Sequence, residues 1–215
     1  ERHVVPFIRG FQYGNTMAAT AKHFPGDGLD FRDQHLATSV NHLPMEQWWG
    51  TYGKIWKSVI DAGVLTVMPG HISLPDYQGF SVNLGQAPPA TLSCKIQEIL
   101  LREELGFQGV VVSDATPMIG MTAWAPGPER ILQNIQAGSD VYLFGDSAQD
   151  FKSLRKAVRD HRILEERIRC SARRVLELKA RLGLHIDPFG PEPTGDQKKS
   201  FAQTSREIAE SAISV

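Results

Sequence analysis

Four short apolar runs recur along the chain, each followed by a segment of helical period. They are Ala18–Phe24 (AATAKHF), Val64–Met68 (VLTVM), Gly109–Ser113 (GVVVS) and Asp140–Phe144 (DVYLF), and each leads into Gly, Pro, Asp or His. Strands alternating with helices form parallel βα units, and continuous apolar strands are those covered on both faces. The helices are marked by period and punctuation. Met45–Ala62 carries Trp48, Tyr52, Ile55, Trp56 and Val59 and stops at Gly63; Ser93–Leu105 stops at Gly106 and Pro128–Ala137 at Gly138. Asp150–Asp160 and Leu164–Leu182 complete the pattern. The alternation predicts an α/β fold in which this chain supplies about four βα units, half of a (β/α)8 TIM barrel.

A half barrel leaves the apolar edges of its outer strands open. The expected partner is therefore the N-terminal half of the barrel, on the same precursor or on a second chain. Residues 1–185 are assigned to the barrel. Residues 186–200 (IDPFGPEPTGDQKKS) have the Pro, Gly and charge content of a linker. Residues 201–215 begin as an amphipathic helix, Phe201–Ser211, and end in an incipient strand, Ala212–Val215, leading towards a further domain.

The 215 residues are 41% hydrophobic and 22% charged, with a net charge of -1, so no strong field draws nucleic acid or an anionic membrane. No apolar run approaches the roughly 18 residues of a membrane span. A neutral small molecule or glycan is the more natural partner. Cys94 and Cys170 read as two reduced, packed thiols, and the amino-terminal residues carry no signal-peptide pattern.

Three of the runs end in polar clusters, and the carboxyl ends of barrel strands are where active sites are built. The clusters are Lys22-His23-Phe24-Pro25-Gly26-Asp27-Gly28, continuing to Asp33-Gln34-His35; Met68-Pro69-Gly70-His71; and Ser113-Asp114, followed by Met118. Asp114 is either a helix cap or a carboxylate aimed into the barrel mouth. Asp33 and His35 are close enough in sequence for the carboxylate to fix the imidazole tautomer, and a loop acid beside a surface histidine is the plainer alternative. Lys22, at a strand end, calls for a carboxylate or sugar hydroxyls. His71 fits a satisfied core histidine as well as a substrate contact. Trp48, Trp49 and Trp56 read as packing, whereas Trp124 lies in the loop after Asp114, where it could stack on a sugar. The histidines His23, His35 and His71 follow no common zinc spacing, so no metal and no cofactor is expected.

The segments KHFPGDG…DQH, MPGHI, PATLS, LREELGFQGVVVSD and IQAGSD resemble the catalytic domain of glycoside hydrolase family 3, in particular its β-N-acetylglucosaminidase (β-N-acetylhexosaminidase) branch, from about Gly10 to Leu184. The resemblance implies a retaining exo-glycosidase. It removes terminal β-linked N-acetylglucosamine through a covalent glycosyl-aspartate. Asp114 falls on the nucleophile in its S-D-x-x-x-M context with Met118, Asp33 and His35 on the acid/base dyad, and Lys22 and His23 on the pair that binds sugar hydroxyls. The usual motif of that branch reads KHFPGHGDT-x-x-DSH; here Asp27 replaces its second histidine, Leu29-Asp30 replaces Asp-Thr, and Gln34 replaces its serine. The resemblance also implies an aspartate and an arginine from earlier strands, a following αβα sandwich domain, and a bacterial setting, cytoplasmic or secreted. Another β-glycosidase or a phosphorylase is the alternative within the family; a sugar-binding or assembly fragment without catalysis is the alternative of another class.

Overall fold

The computed structural model describes residues 1–80, 87–189 and 192–212. Helix α1 (Val4–Phe11) buries Ile8 ahead of the first strand, β1 (Thr20–Phe24). A long loop holding the short strand β2 (Ser39–Val40) leads to α2 (Met45–Trp48), a π-helical turn (Trp49–Gly53) and α3 (Lys54–Asp61). These follow one another without a break, so the expected Met45–Ala62 helix is present with one widened turn, and the chain leaves it through Gly63 at φ +80°. Next come β3 (Thr66–Pro69), β4 (Ile72–Ser73) and α4 (Pro75–Gln78), then a π-helical segment (Lys95–Glu104) and β5 (Val110–Val111). Helices α5 (Ile119–Thr122), α6 (Glu129–Ala137), α7 (Ser147–Arg159), α8 (Glu165–Arg181) and α9 (Gly195–Ala212) follow.

Strands β1, β3 and β5 form a parallel sheet in that order, with Thr20 opposite Thr66 and Thr66 opposite Val110. Helices fill the connections, as a parallel sheet requires. The core lies between this sheet and its helices: Phe24, Trp48, Trp56, Val67, Leu100 and Val111 are buried together. Phe24 meets both tryptophans edge to face, with ring centroids 6.4 and 5.0 Å apart. A smaller cluster of Ile131, Leu132, Ile135, Ala157 and Ile163 joins α6 to α7 and the turn beyond it.

Three expectations are corrected. Asp140–Phe144 forms no strand; Val141 makes a single parallel bridge to Val112. Side chains take the ladder's place there, because Ser113 Oγ accepts from the Leu143 amide at 3.0 Å, Thr116 Oγ1 donates to the Leu143 carbonyl at 2.6 Å, and Phe144 turns out at φ +58°. The linker also gives way to helix early, at Gly195. Thr194 Oγ1 accepts from the Gln197 amide at 3.3 Å and Gln197 Oε1 accepts from the Thr194 amide at 2.8 Å, a capping box that starts α9. Ala212 ends that helix, and the rest of the Ala212–Val215 run lies outside the described residues. Cys94 is exposed rather than packed, and Cys170 donates to Glu166 at 3.3 Å. Among the described residues no helix is long and apolar enough to cross a membrane.

Candidate active site

The loops that leave the carboxyl ends of β1, β3 and β5 converge. The first two are zipped together by the β2–β4 pair, with Ser39 opposite Ile72 and Val40 opposite Ser73. The register of β1 against β3 slips at His23, which takes that side chain out of the ladder and into the loop that follows. Three successive carbonyls of this loop are each held by a side chain. The indole N–H groups of Trp48 and Trp56 donate to Pro25 O at 3.0 and 3.2 Å, Asn41 donates to Gly26 O at 3.2 Å, and the Tyr52 hydroxyl donates to Asp27 O at 2.9 Å. Trp48 and Trp56 therefore position the site as well as pack the core. A Cβ at Gly26 would lie 2.2 Å from the Tyr52 ring, so this close approach requires glycine.

Asp114 sits just past β5 and is 9% exposed. The next helix, α5, begins at Ile119 with Met118 at its N-cap, so Asp114 caps no helix. Its Oδ1 accepts from the Ala115 amide at 2.7 Å, and its Oδ2 faces His23 Nε2 at 3.5 Å. On the far side of the His23 ring, Nδ1 lies 3.3 Å from Asp27 Oδ2. The two ring nitrogens of His23 thus face two different carboxylates.

His71 takes the core alternative. Its ring is fully buried, Nε2 donates to Ala115 O at 2.9 Å, and Nδ1 lies 2.9 Å from Thr91 Oγ1. Burial pushes the imidazole down from its ordinary value, which suits the neutral Nε2–H tautomer that the carbonyl selects. With both nitrogens engaged and no exposed atom, His71 secures the residue after Asp114 and does not reach a substrate. That corrects its sequence reading as a binding residue.

The Asp33–His35 pair forms as expected: His35 Nδ1 lies 2.7 Å from Asp33 Oδ1, which also accepts from the His35 amide at 2.9 Å. Both side chains are well exposed. Their loop is clamped onto the segment after Asp114, because the Ile119 amide donates to His35 O at 3.2 Å and the Gly120 amide to Gln34 O at 3.1 Å. A Cβ at Gly120 would stand 2.8 Å from both Gln34 O and the His71 Cβ, so the clamp closes only on glycine. The base of the same loop is fixed by Asp30, whose carboxylate takes Arg32 Nε at 2.8 and 3.0 Å and the Val40 amide at 2.7 Å.

Lys22 is exposed and forms no ion pair among the described residues. Of the two partners open to it, a carboxylate is not found among the described residues, and β1 lies at the edge of the described sheet. Lys22 borders an open cavity of about 750 Å³ shared with His23, Asp27, Tyr52 and Trp56. Met118 is half-buried at the start of α5. Trp124 donates to Thr38 Oγ1 at 2.8 Å and lines a separate pocket with Arg32 and Ala87. Among the described residues no cluster of three or more His, Cys, Asp or Glu is arranged to hold a metal ion. The sequence did not single out Gln34, Asp27, Asn41 or Tyr52 as positioning groups. Only the polar residue types inside the first motif hinted at the first two.

A parallel α/β sheet with a carboxylate just beyond β5 and an Asp–His pair in the loop after β1 is consistent with part of a TIM-barrel-like fold, whose sites gather at the carboxyl ends of its strands. The profile described as Glycosyl hydrolase family 3 N terminal domain matches residues 1–178, and the chain belongs to that family. It is 40% identical over 207 residues to a beta-N-acetylglucosaminidase/beta-glucosidase of Cellulomonas fimi, covering 93% of this chain and 36% of the relative. Among solved structures it is similar to a beta-N-acetylglucosaminidase of Paenibacillus sp. (TM-score 0.77, 32% identity, 89% of this chain and 36% of the other). It is similar too to the beta-glucoside phosphorylase BglX (TM-score 0.76, 34% identity, 85% and 35%). The chain thus spans about a third of the length of these relatives.

Proposed function

We propose that this chain carries the nucleophile and the acid/base dyad of a retaining exo-glycosidase that releases terminal β-linked N-acetylglucosamine. The observation that carries the reading is the placement of Asp114: a nearly buried carboxylate just past β5 that caps no helix and faces His23. Its Oδ2 attacks the anomeric carbon and the glycosidic bond breaks. His35, held through Nδ1 by Asp33, delivers a proton from Nε2 to the leaving oxygen. The same nitrogen then takes a proton from water as the glycosyl–Asp114 ester is hydrolysed. Lys22 and His23, which line the cavity, bind sugar hydroxyls, and Met118 at the start of α5 contributes to the sugar site. The chain's likeness to relatives named for N-acetylglucosamine supports the choice of sugar.

In this reading residues 1–185 are the second half of a TIM barrel, and the helix beyond the linker leads to a further domain. The support is the open edge of β1 and the exposure of Lys22 on it. The first half, with the remaining sugar-binding groups, comes from the same polypeptide or a second chain.

Phosphorolysis is a second reading, favoured by the likeness to a beta-glucoside phosphorylase. A histidine acid/base becomes neutral after giving up its proton and repels a phosphate acceptor less than a carboxylate does. The test is product analysis on aryl β-N-acetylglucosaminide and β-glucoside, with and without inorganic phosphate, in a protein with the complete barrel. The expected product is N-acetylglucosamine released first as the β-anomer. An α-anomer would remove the retaining mechanism, and a sugar 1-phosphate formed only with phosphate would replace hydrolysis by the second reading.

A further inference from the structure

The carboxamide of Gln34, 7% exposed, is used at both ends across two loops. Its Oε1 accepts from the His71 amide at 2.6 Å, and its Nε2 donates to Asp27 Oδ2 at 2.8 Å. That oxygen lies 3.3 Å from His23 Nδ1, and His23 Nε2 lies 3.5 Å from Asp114 Oδ2. A polar chain of amide, carboxylate, imidazole and carboxylate therefore runs from the β3 loop to Asp114. Asp27 is anchored although its side chain is partly exposed. The Asp27 carbonyl is tied to Tyr52 and its Oδ1 to the Gly28 amide at 2.9 Å. Gly70 leaves the space the chain needs, because a Cβ there would stand 2.8 Å from Gln34 Oε1 and 2.9 Å from the His23 Cβ.

We propose that Asp27, held by Gln34, is a positioning residue: it fixes the His23 ring so that Nε2 faces Asp114 Oδ2, and so sets how fast that carboxylate is glycosylated. The proposal rests on Asp114 being the nucleophile. Asp27 and Gln34 are the two positions in this relay where the sequence departs from the usual motif of the branch it resembles, which has His and Ser there. The exchange is reciprocal in length, since a short acid here meets a long amide. The two residues therefore act as one unit.

The test compares Asp27→Ala, Asp27→Asn, Gln34→Ala and the Asp27→Ala/Gln34→Ala double variant in the protein carrying the complete barrel. Active sites are counted by stoichiometric labelling with a 5-fluoro glycosyl fluoride, and turnover of an aryl β-N-acetylglucosaminide is expressed per labelled site. Asp27→Ala is expected to keep full labelling stoichiometry while kcat per site falls about 100-fold with KM little changed, the loss that misplacement by about 1 Å produces. The double variant is expected to be no slower than the slower single, because the residues share one path. Asp27→Asn, which keeps an oxygen acceptor, is expected to recover much of the rate. Unchanged turnover per site in Asp27→Ala, losses that multiply in the double variant, or a loss explained by fewer labelled sites would each overturn the proposal while leaving Asp114 as nucleophile. Label on another residue of the unsubstituted protein would overturn the nucleophile and the proposal together.

Discussion

Asp33 accepts both the backbone and the ring N–H of His35, and these bonds hold its carboxyl below the usual range. An ionised Asp33 keeps Nδ1 occupied and turns Nε2 outward, where a leaving group can meet it. Replacement of His35 by Ala is predicted to leave glycosylation by activated aryl glycosides near normal. Substrates with poor leaving groups should slow by about 10²–10⁴-fold, the usual worth of a general acid. Equal losses on both, read from kcat/KM, would count against the acid role. Asp30 gives a prediction in pH. Burial raises its carboxyl, but hydrogen bonds from the Arg32 side chain and from the Arg32 and Val40 amides outweigh burial and lower it from 3.8 to about 2. The folded value lies below the unfolded one, so the stabilisation is complete above about pH 4 and is lost as pH falls through 2. Arg32→Ala should move the acid-unfolding midpoint upward, measured by circular dichroism against pH; an unmoved midpoint would contradict this. Asp33 and His35 were legible because two positions in one loop suffice to make the contact. The Asp27–Gln34 contact was not, since it depends on how a loop folds back on itself beneath a third strand's rim.

Loops, rather than strands, place the chemistry here. Gly120 lets the dyad loop close on the segment after Asp114, through the Gln34 and His35 carbonyls. Gly120→Ala is predicted to cut kcat by at least about tenfold, because a Cβ there must push the His35 loop away from Asp114. Normal kcat in that variant would mean that the clamp does not set the dyad. The helices and their glycine stops were readable from period and punctuation. The Asp140–Phe144 run misled because apolar content alone does not reveal that Ser113 and Thr116 will take the Leu143 amide and carbonyl. The early start of α9 had a local signal, Thr194 with Gln197, which the Pro- and Gly-rich context concealed.

Far from the site, Asp140 joins the sheet to its surrounding helices. Its side chain is fully buried; Oδ2 takes Arg102 Nη2 at 2.7 Å and the Val111 amide at 3.0 Å, and Oδ1 takes Ser171 Oγ at 2.7 Å and Arg174 Nη1 at 3.1 Å. Asp140→Ala leaves buried guanidinium charge without its counter-ion and is predicted to destabilise the fold by about 3–5 kcal/mol in urea unfolding. A change under about 1 kcal/mol would show that water reaches the cluster and screens it. The sequence displayed Asp140 only as the end of a motif, since the arginines that meet it, Arg102, Arg174 and also Arg167 at 3.5 Å, come from two other helical segments. The parallel α/β architecture was legible through its first three strands, because βα alternation is written along that part of the chain.

The central claim is that Asp114 forms the covalent bond to sugar. A protein carrying the complete barrel, incubated with a 5-fluoro N-acetylglucosaminyl fluoride, digested and mapped by mass spectrometry, is predicted to carry one glycosyl group, on Asp114, and Asp114→Asn is predicted to carry none. A glycosyl group on any other residue, or full turnover by Asp114→Asn, would contradict it.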